Sequence, residues 1–306
     1  MRRIVIAGGS GMIGRHLTVA LLADGYAVDV LTRAPSRTRL PRGARAVAWQ
    51  GAPTRQLSSV LAGAEAIVNL AGESIGPRPW TPARKRAIRD SRVRATAAIV
   101  NAVSALPAAE RPRVLLSASG TDVYVGRDDV PATESTPPGD DFLARVCIEW
   151  EAAAFAAADL GVRVVIVRQA FVLAREAAVL GLMALPFRLF AGGPIGSGRQ
   201  WFSWVHVDDL VALYRWALAD DGVEGVINAA APEPCRNADL AAAMGHVLGR
   251  PNWLPAPAWA VRLALRDQST LVLGSRRAVP ARALEAGFGF AYPELQAALR
   301  EALGGR

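Results

Sequence analysis

The stretch IVIAGGSGMIGRHL, residues 4–17, constrains the fold more than any other. A β-branched apolar run stops at glycines spaced Gly8-x-x-Gly11-x-x-Gly14, and a helical pattern starts at once. That order is the strand–turn–helix of a doubly wound α/β fold. The glycines allow a tight turn and close approach of a pyrophosphate, and the helix N-terminus supplies free amides and a favourable dipole. The turn predicts dinucleotide contacts from Gly8, Ser10, Gly11, Met12, Ile13 and Gly14.

The pattern repeats along the chain. Short apolar runs near 3–7, 27–32, 45–49, 65–70, 112–118 and 162–168 alternate with helical periodicity near 12–24, 55–63, 81–105 and 141–160. Such alternation predicts βαβ units and a parallel sheet. Residues 1–170 therefore read as a Rossmann-type, NADP-binding domain, and 171–306 as a smaller substrate-side lobe with some segments returning to the core. In that lobe WFSWVHV reads as a strand, DDLVALYRWALAD as a helix and GVINAA as a short strand. Helical patterns near 237–249, 257–265, 280–287 and 293–303 follow, and the tail is expected to pack over the carboxyl edge of the sheet.

The second strand ends on Thr32 and Arg33, where an NAD-preferring site would carry an acid for the ribose diol. Arg33, with Arg37 close behind, suits a 2′-phosphate, so NADP(H) is the expected cofactor; Asp29 lies inside the strand, away from its tip. Asn69, Leu70, Ala71 and Gly72 follow the fourth strand beside the crevice, and Ser117 lies on the fifth. All five are expected to line the cofactor.

Composition narrows the class. No apolar run approaches the roughly 20 residues that span a bilayer, so the expected setting is cytoplasmic, with no membrane partner. Cys147 and Cys235 are too few and too far apart for a disulfide framework or a thiolate metal site. The net charge of +8 comes from scattered arginines, which argues for a basic solvated surface without a nucleic-acid partner. In TPARKRAIRDSRVRAT, 81–96, the basic positions alternate with apolar ones on a helical period, and its polar face is expected to reach an anionic ligand. Lys85 is the sole lysine.

Several segments carry a family likeness: VNLAGESI, RPWTPARKRAIRDSRVRAT, LLSASGTDVYVG, DDFLARVCIEWE, ALPFRLFAGGPIGSGRQWFSWVHVDDL and RAVPARALEAGFGFAYPELQAAL. Together they resemble the extended short-chain dehydrogenase/reductases, the superfamily that includes nucleotide-sugar epimerases. The likeness is to an atypical branch of epimerase-family proteins, described as NADP-dependent oxidoreductases with a C-terminal domain of unassigned function. It implies hydride transfer on a small carbonyl or hydroxyl substrate and a possible homodimer. It also implies a serine after the fifth strand, which Ser119 fits, and a Tyr-x-x-x-Lys pair on the next helix. With Glu151 matched to that helix's usual acid, Leu143 and Cys147 stand where the pair should be, and no Tyr-x-x-x-Lys occurs anywhere in the chain.

Tyr124, five residues beyond Ser119, is the candidate replacement acid, with Lys85 and Arg92 as sources of positive charge or substrate contacts. Arg199, Gln200 and Trp201 in a glycine-rich loop are further substrate candidates. Cys147, on an apolar helix face, reads as an inert thiol. His206, Asp208 and Asp209 read as a helix start, with the acids as caps and no metal bound. The missing pair leaves a second possibility, a non-catalytic NADP(H) sensor or scaffold. The branch's usual Arg-x-Gly after the sixth strand is Arg168-Gln169-Ala170 here.

Overall fold

A computed structural model describes residues 2–76, 78–124 and 129–304. Its centre is a seven-stranded parallel sheet. The strands are β1 (Arg3–Ala7), β2 (Ala27–Thr32), β3 (Arg45–Ala48), β4 (Ala66–Asn69), β5 (Val114–Gly120) and β6 (Arg163–Gln169), joined after the short strands β7 (Phe171–Leu173), β8 (Trp201–Phe202) and β9 (Trp204–His206) by β10 (Gly225–Ala229). The order β3-β2-β1-β4-β5-β6-β10 reverses direction between β1 and β4, which opens a crevice at their carboxyl ends.

Helices cover both faces, so the strands are apolar on both sides. Alternation sorts them. Ile4 and Ile6 of β1 face α1 (Met12–Ala23), while Val5 and Ala7 face the opposite layer of α2 (Arg55–Leu61), α3 (Pro82–Ser104) and α4 (Phe142–Phe155). Beyond α5 (Ala178–Arg188), α6 (Val207–Ala219) returns to pack beside α1, and β10 then joins the sheet edge. A third apolar cluster unites α5, α7 (Asn237–Leu248) and α11 (Leu295–Leu303), the last three helices before it being α8 (Ala258–Leu265), α9 (Thr270–Leu273) and α10 (Ala281–Glu285).

Two local outcomes differ from the sequence reading. The expected strand over 201–207 is two: β8 pairs with β11 (Cys235–Arg236), and β9 pairs with β7. Ser203 separates them, its Oγ donating to the Arg276 carbonyl and accepting from the Ala278 amide, both at 2.8 Å. Helix α5 had no counterpart in the sequence reading. Gly181 and Pro186 interrupt its pattern, yet Leu180, Ala184 and Phe187 anchor it to the core.

Candidate functional site

The turn between β1 and α1 is built to leave space. Gly8 has φ +77°, and a Cβ there would lie 2.6 Å from the Leu70 carbonyl oxygen. A Cβ on Gly14 would press on the backbone of Gly9 and sit 2.8 Å from the Gly8 oxygen, so glycine lets α1 pack against the turn. Gly11 caps α1 and donates to the Gly8 carbonyl at 3.0 Å. No side chain caps the helix and its first turn holds no acid, so the first-turn amides of α1 are left without a capping side chain and the positive end of the helix dipole is not offset by a carboxylate.

At the tip of β2, Thr32 is tied to Thr38 through their hydroxyls at 2.9 Å. Arg33 and Arg37 are exposed, and Arg33 Nη1 stands 3.7 Å from Glu73 Oε1. Arg84 also donates to Glu73 at 3.0 Å. That hydrogen bond, opposed by partial burial and aided by the charges of Arg84, Arg33 and Arg78, holds the Glu73 carboxyl below its ordinary range. Asp29 is buried between Arg45, at 2.6–2.7 Å, and Arg3, at 3.2 Å. It is spent inside the fold.

The loop after β4 is held from behind. Asn69 and Ser117 have no exposed surface. Asn69 Nδ2 donates to Thr96 Oγ1 at 2.7 Å and to Ser117 Oγ at 3.4 Å, while its Oδ1 accepts from the Ala71 amide at 3.2 Å. These two side chains brace the loop; the half-buried Leu70 and Ala71 and the exposed Gly72 supply its outer surface. Arg92 lies beneath Gly72, where a Cβ would sit 3.0 Å from its Cζ. It donates to the Glu73 and Ile88 carbonyls at 2.9 and 3.0 Å and stacks 5.2 Å from the Trp150 ring centre. Burial lowers its pKa.

Where the acid/base pair was expected, a closed polar chain stands. Ser119 donates to Glu151 Oε1 at 2.6 Å. Arg168 grips the same carboxylate with two bonds of 2.8 and 2.7 Å and donates to the Tyr124 hydroxyl at 2.9 Å, which in turn donates to Asn228 Oδ1 at 2.8 Å. All five residues are buried. Burial raises the Tyr124 pKa against the opposing pull of Arg168, so the phenol stays protonated. Burial works against the Arg168 charge, but the Glu151 hydrogen bonds and charge outweigh it and hold the guanidinium firmly protonated.

The cation beside Tyr124 is therefore Arg168, where the sequence reading looked to Lys85 and Arg92. Lys85 instead donates to Asp267 at 2.6 Å and lies 5.3 Å from the Phe142 ring centre. Sequence reasoning passed over Arg168, although a charged pair set in the apolar contexts of β6 and α4 is itself a signal, because such charges must find partners.

Leu143 and Cys147 are buried on α4. Burial foremost, with the charges of Asp122 and Glu151, pushes the Cys147 thiol up to about 12. Iodoacetamide at mildly alkaline pH should therefore leave Cys147 unmodified in the native protein and label it on unfolding. Native labelling, read by peptide mass, would contradict the burial.

The remaining candidates form a structural knot in the C-terminal lobe. Gln200 Nε2 donates to the Ile195 and Val272 carbonyls at 2.9 and 3.1 Å. Arg236 and Arg277 lie over the Trp201 ring, at 4.0 and 4.3 Å from its centre, and its Nε1 donates to Asp129 at 2.9 Å. Two guanidinium groups thus already stack on the Trp201 ring. The Arg199 carbonyl accepts from Arg236, and its side chain is exposed. His206, not the acids, caps α6, accepting from the Asp208 amide at 3.3 Å. Asp209 accepts from the Ala291 and Tyr292 amides at 2.7 and 3.0 Å. Among the described residues no three His, Cys, Asp or Glu side chains gather in a metal-binding cluster.

An uncapped glycine turn at the reversal point of a doubly wound sheet defines a Rossmann-type protein with a nucleotide crevice. The sequence matches the NAD dependent epimerase/dehydratase family over residues 4–230 and a domain of unknown function, DUF1731, over 256–302. It is 41% identical to the chloroplastic SDR39U1 homolog of Arabidopsis thaliana, over 97% of this chain and 85% of that protein. It is 35% identical to human epimerase family protein SDR39U1, over 98% of this chain and 99% of the human one. The crystal structure of human SDR39U1 (isoform 2) with NADPH superposes with a TM-score of 0.88 at 34% identity, covering 99% of this chain and 100% of that one. The chain belongs to the NAD dependent epimerase/dehydratase family. Among the described residues no helix is long and apolar enough to cross a membrane.

Proposed function

We propose that this protein is an NADP(H)-binding oxidoreductase or epimerase-like enzyme acting on a small carbonyl or hydroxyl compound. The observation that carries the reading is the pairing of an uncapped, glycine-cleared helix start with exposed arginines in the segment that follows β2, residues 33–37, which itself contains no acid. The human relative crystallised with NADPH supports it.

In this reading the α1 amides hold the pyrophosphate, Arg33 and Arg37 take the 2′-phosphate, and the 70–72 backbone walls the crevice. The bound nicotinamide supplies a hydride donor or acceptor. Tyr124, a neutral phenol beside the Arg168 guanidinium, is suited to donate a proton or hydrogen bond and poorly suited to act as a base. Ser119 belongs to the same buried chain, its hydroxyl donating to Glu151.

The Arg33→Ala protein should bind NADPH about tenfold more weakly, the order of one lost hydrogen bond to a charged group, with NADH affinity unchanged. Fluorescence titration with both nucleotides checks this. An equal loss for both would place Arg33 outside the 2′-phosphate site. A second reading, an NADP(H) sensor without turnover, draws on the commitment of both the Ser119 and Tyr124 hydroxyls to buried partners. NADPH oxidation across a panel of carbonyl compounds separates the two: turnover abolished by Tyr124→Phe supports the enzyme, and binding without turnover supports the sensor.

A further inference from the structure

Helix α5, the turn after it, the 250–257 segment and α8 make one continuous face. The Trp253 and Leu254 amides both donate to the Gly192 carbonyl at 3.0 Å, and Trp253 Nε1 donates to the Phe190 carbonyl at 3.0 Å. Short bridges pair Gly192 with Asn252 and Ile195 with Ala256, which leads directly into α8.

This face is apolar and open. Leu182, Leu189, Phe190, Trp253, Trp259 and Leu263 are all exposed, Trp259 to 69% and Leu263 to 76%. Helix α8 has no buried residue at all. Isolated exposed apolar side chains are ordinary on a protein surface, but a contiguous patch on two helices and the strap between them marks a surface that something covers.

Charge indicates what covers it. Segments 178–192 and 250–266 contain Arg188, Arg250, Arg262 and Arg266 and no aspartate or glutamate, and the two acids at their margins, Glu176 and Asp267, meet His16 and Lys85. All four arginines are exposed. A two-fold pairing of this face with itself would set one cationic fringe against another. Two tryptophans and aliphatic side chains on the same segments as four exposed guanidinium groups, Arg250 lying 4.7 Å from the Phe190 ring centre, are instead the composition that settles at the boundary between phospholipid headgroups and acyl chains.

We infer that this face docks peripherally on an anionic phospholipid surface, its apolar side chains entering the acyl boundary and its four arginines meeting lipid phosphates. The sequence expectation of no membrane partner rested on the lack of a spanning segment, and an interfacial face requires none. Gln268, just past α8, donates to the Ile75 and Gly76 carbonyls, both at 3.1 Å, so docking sets the loop after β4 near the lipid surface. The inference stands apart from the cofactor reading.

The test is co-sedimentation of the full chain with phosphatidylcholine vesicles, with and without phosphatidylglycerol. The wild-type protein should pellet with the anionic vesicles, and its affinity should fall by about tenfold or more on neutral vesicles or in high salt. The Trp259→Glu/Leu263→Glu double variant should lose about tenfold or more on anionic vesicles, with an unchanged thermal melt because both side chains are exposed. An Arg262→Gln/Arg266→Gln variant should lose less but show a weaker salt dependence. Three results would overturn the inference: no pelleting with anionic vesicles at low ionic strength, equal binding by the glutamate variant, or light scattering that finds a wild-type dimer dissociated by that same variant.

Discussion

The Gly11→Val protein is expected to lose NADPH affinity by at least about a hundredfold, near 3 kcal/mol, while remaining folded. Gly11 sits at φ −71°, ψ 173°, which valine tolerates, and among the described residues the only atom beyond its chain neighbours within 4 Å of a Cβ built there is the Gly8 oxygen at 3.3 Å. The fold can therefore absorb the side chain. The crevice cannot, because the added methyls stand where the α1 amides would meet a pyrophosphate. Gly8→Val provides the contrast. Its left-handed φ and the 2.6 Å approach to Leu70 make it a folding defect as well as a binding one. Titration with NADPH alongside a thermal melt distinguishes them, and retained affinity in a stable Gly11→Val protein would mean that the pyrophosphate lies elsewhere.

The second large effect concerns the buried chain that stands where Tyr-x-x-x-Lys was expected. Arg168→Met removes both of its bonds to Glu151 and leaves a buried carboxylate with, among the described residues, only the Ser119 hydroxyl as a donor. Breaking one side of such a pair destabilises by about 3–5 kcal/mol, whereas replacing both partners with apolar residues of similar volume is far milder. Urea unfolding should therefore find the Arg168→Met/Glu151→Met double variant more stable than Arg168→Met alone. If the double variant is less stable than the single, Glu151 finds other compensation and the pair is not the keystone of this core. The single variant also strips Tyr124 of its cationic neighbour, leaving Asn228 as its partner.

These two experiments probe features of very different visibility in one dimension. The glycine turn was legible because strand, glycines and helix are contiguous, and because period-two and period-3.6 patterns flank it. The arginine at the tip of β2 was legible for the same reason, since its place follows from where a strand ends. The buried chain was not. It ties Tyr124 to Asn228 and Glu151 to Arg168 across separate elements, and only the order of the sheet brings β5, β6 and β10 side by side. Leu143 and Cys147 showed that a pair was missing without showing what replaced it.

The C-terminal lobe was the least readable. Gly181 and Pro186 hid α5, and Ser203 broke an apparently continuous strand because its hydroxyl stitches a segment more than seventy residues away. Trp201 invited a substrate role by residue type. The two guanidinium groups over its ring depend on tertiary placement that no local pattern reports.

The central claim is that the start of α1 and the tip of β2 together hold NADP(H). Isothermal calorimetry on wild-type protein stripped of nucleotide tests it most directly. Saturable heat with NADPH and a clearly weaker isotherm with NADH are expected. No heat with either nucleotide, or tighter binding of NADH, would contradict it.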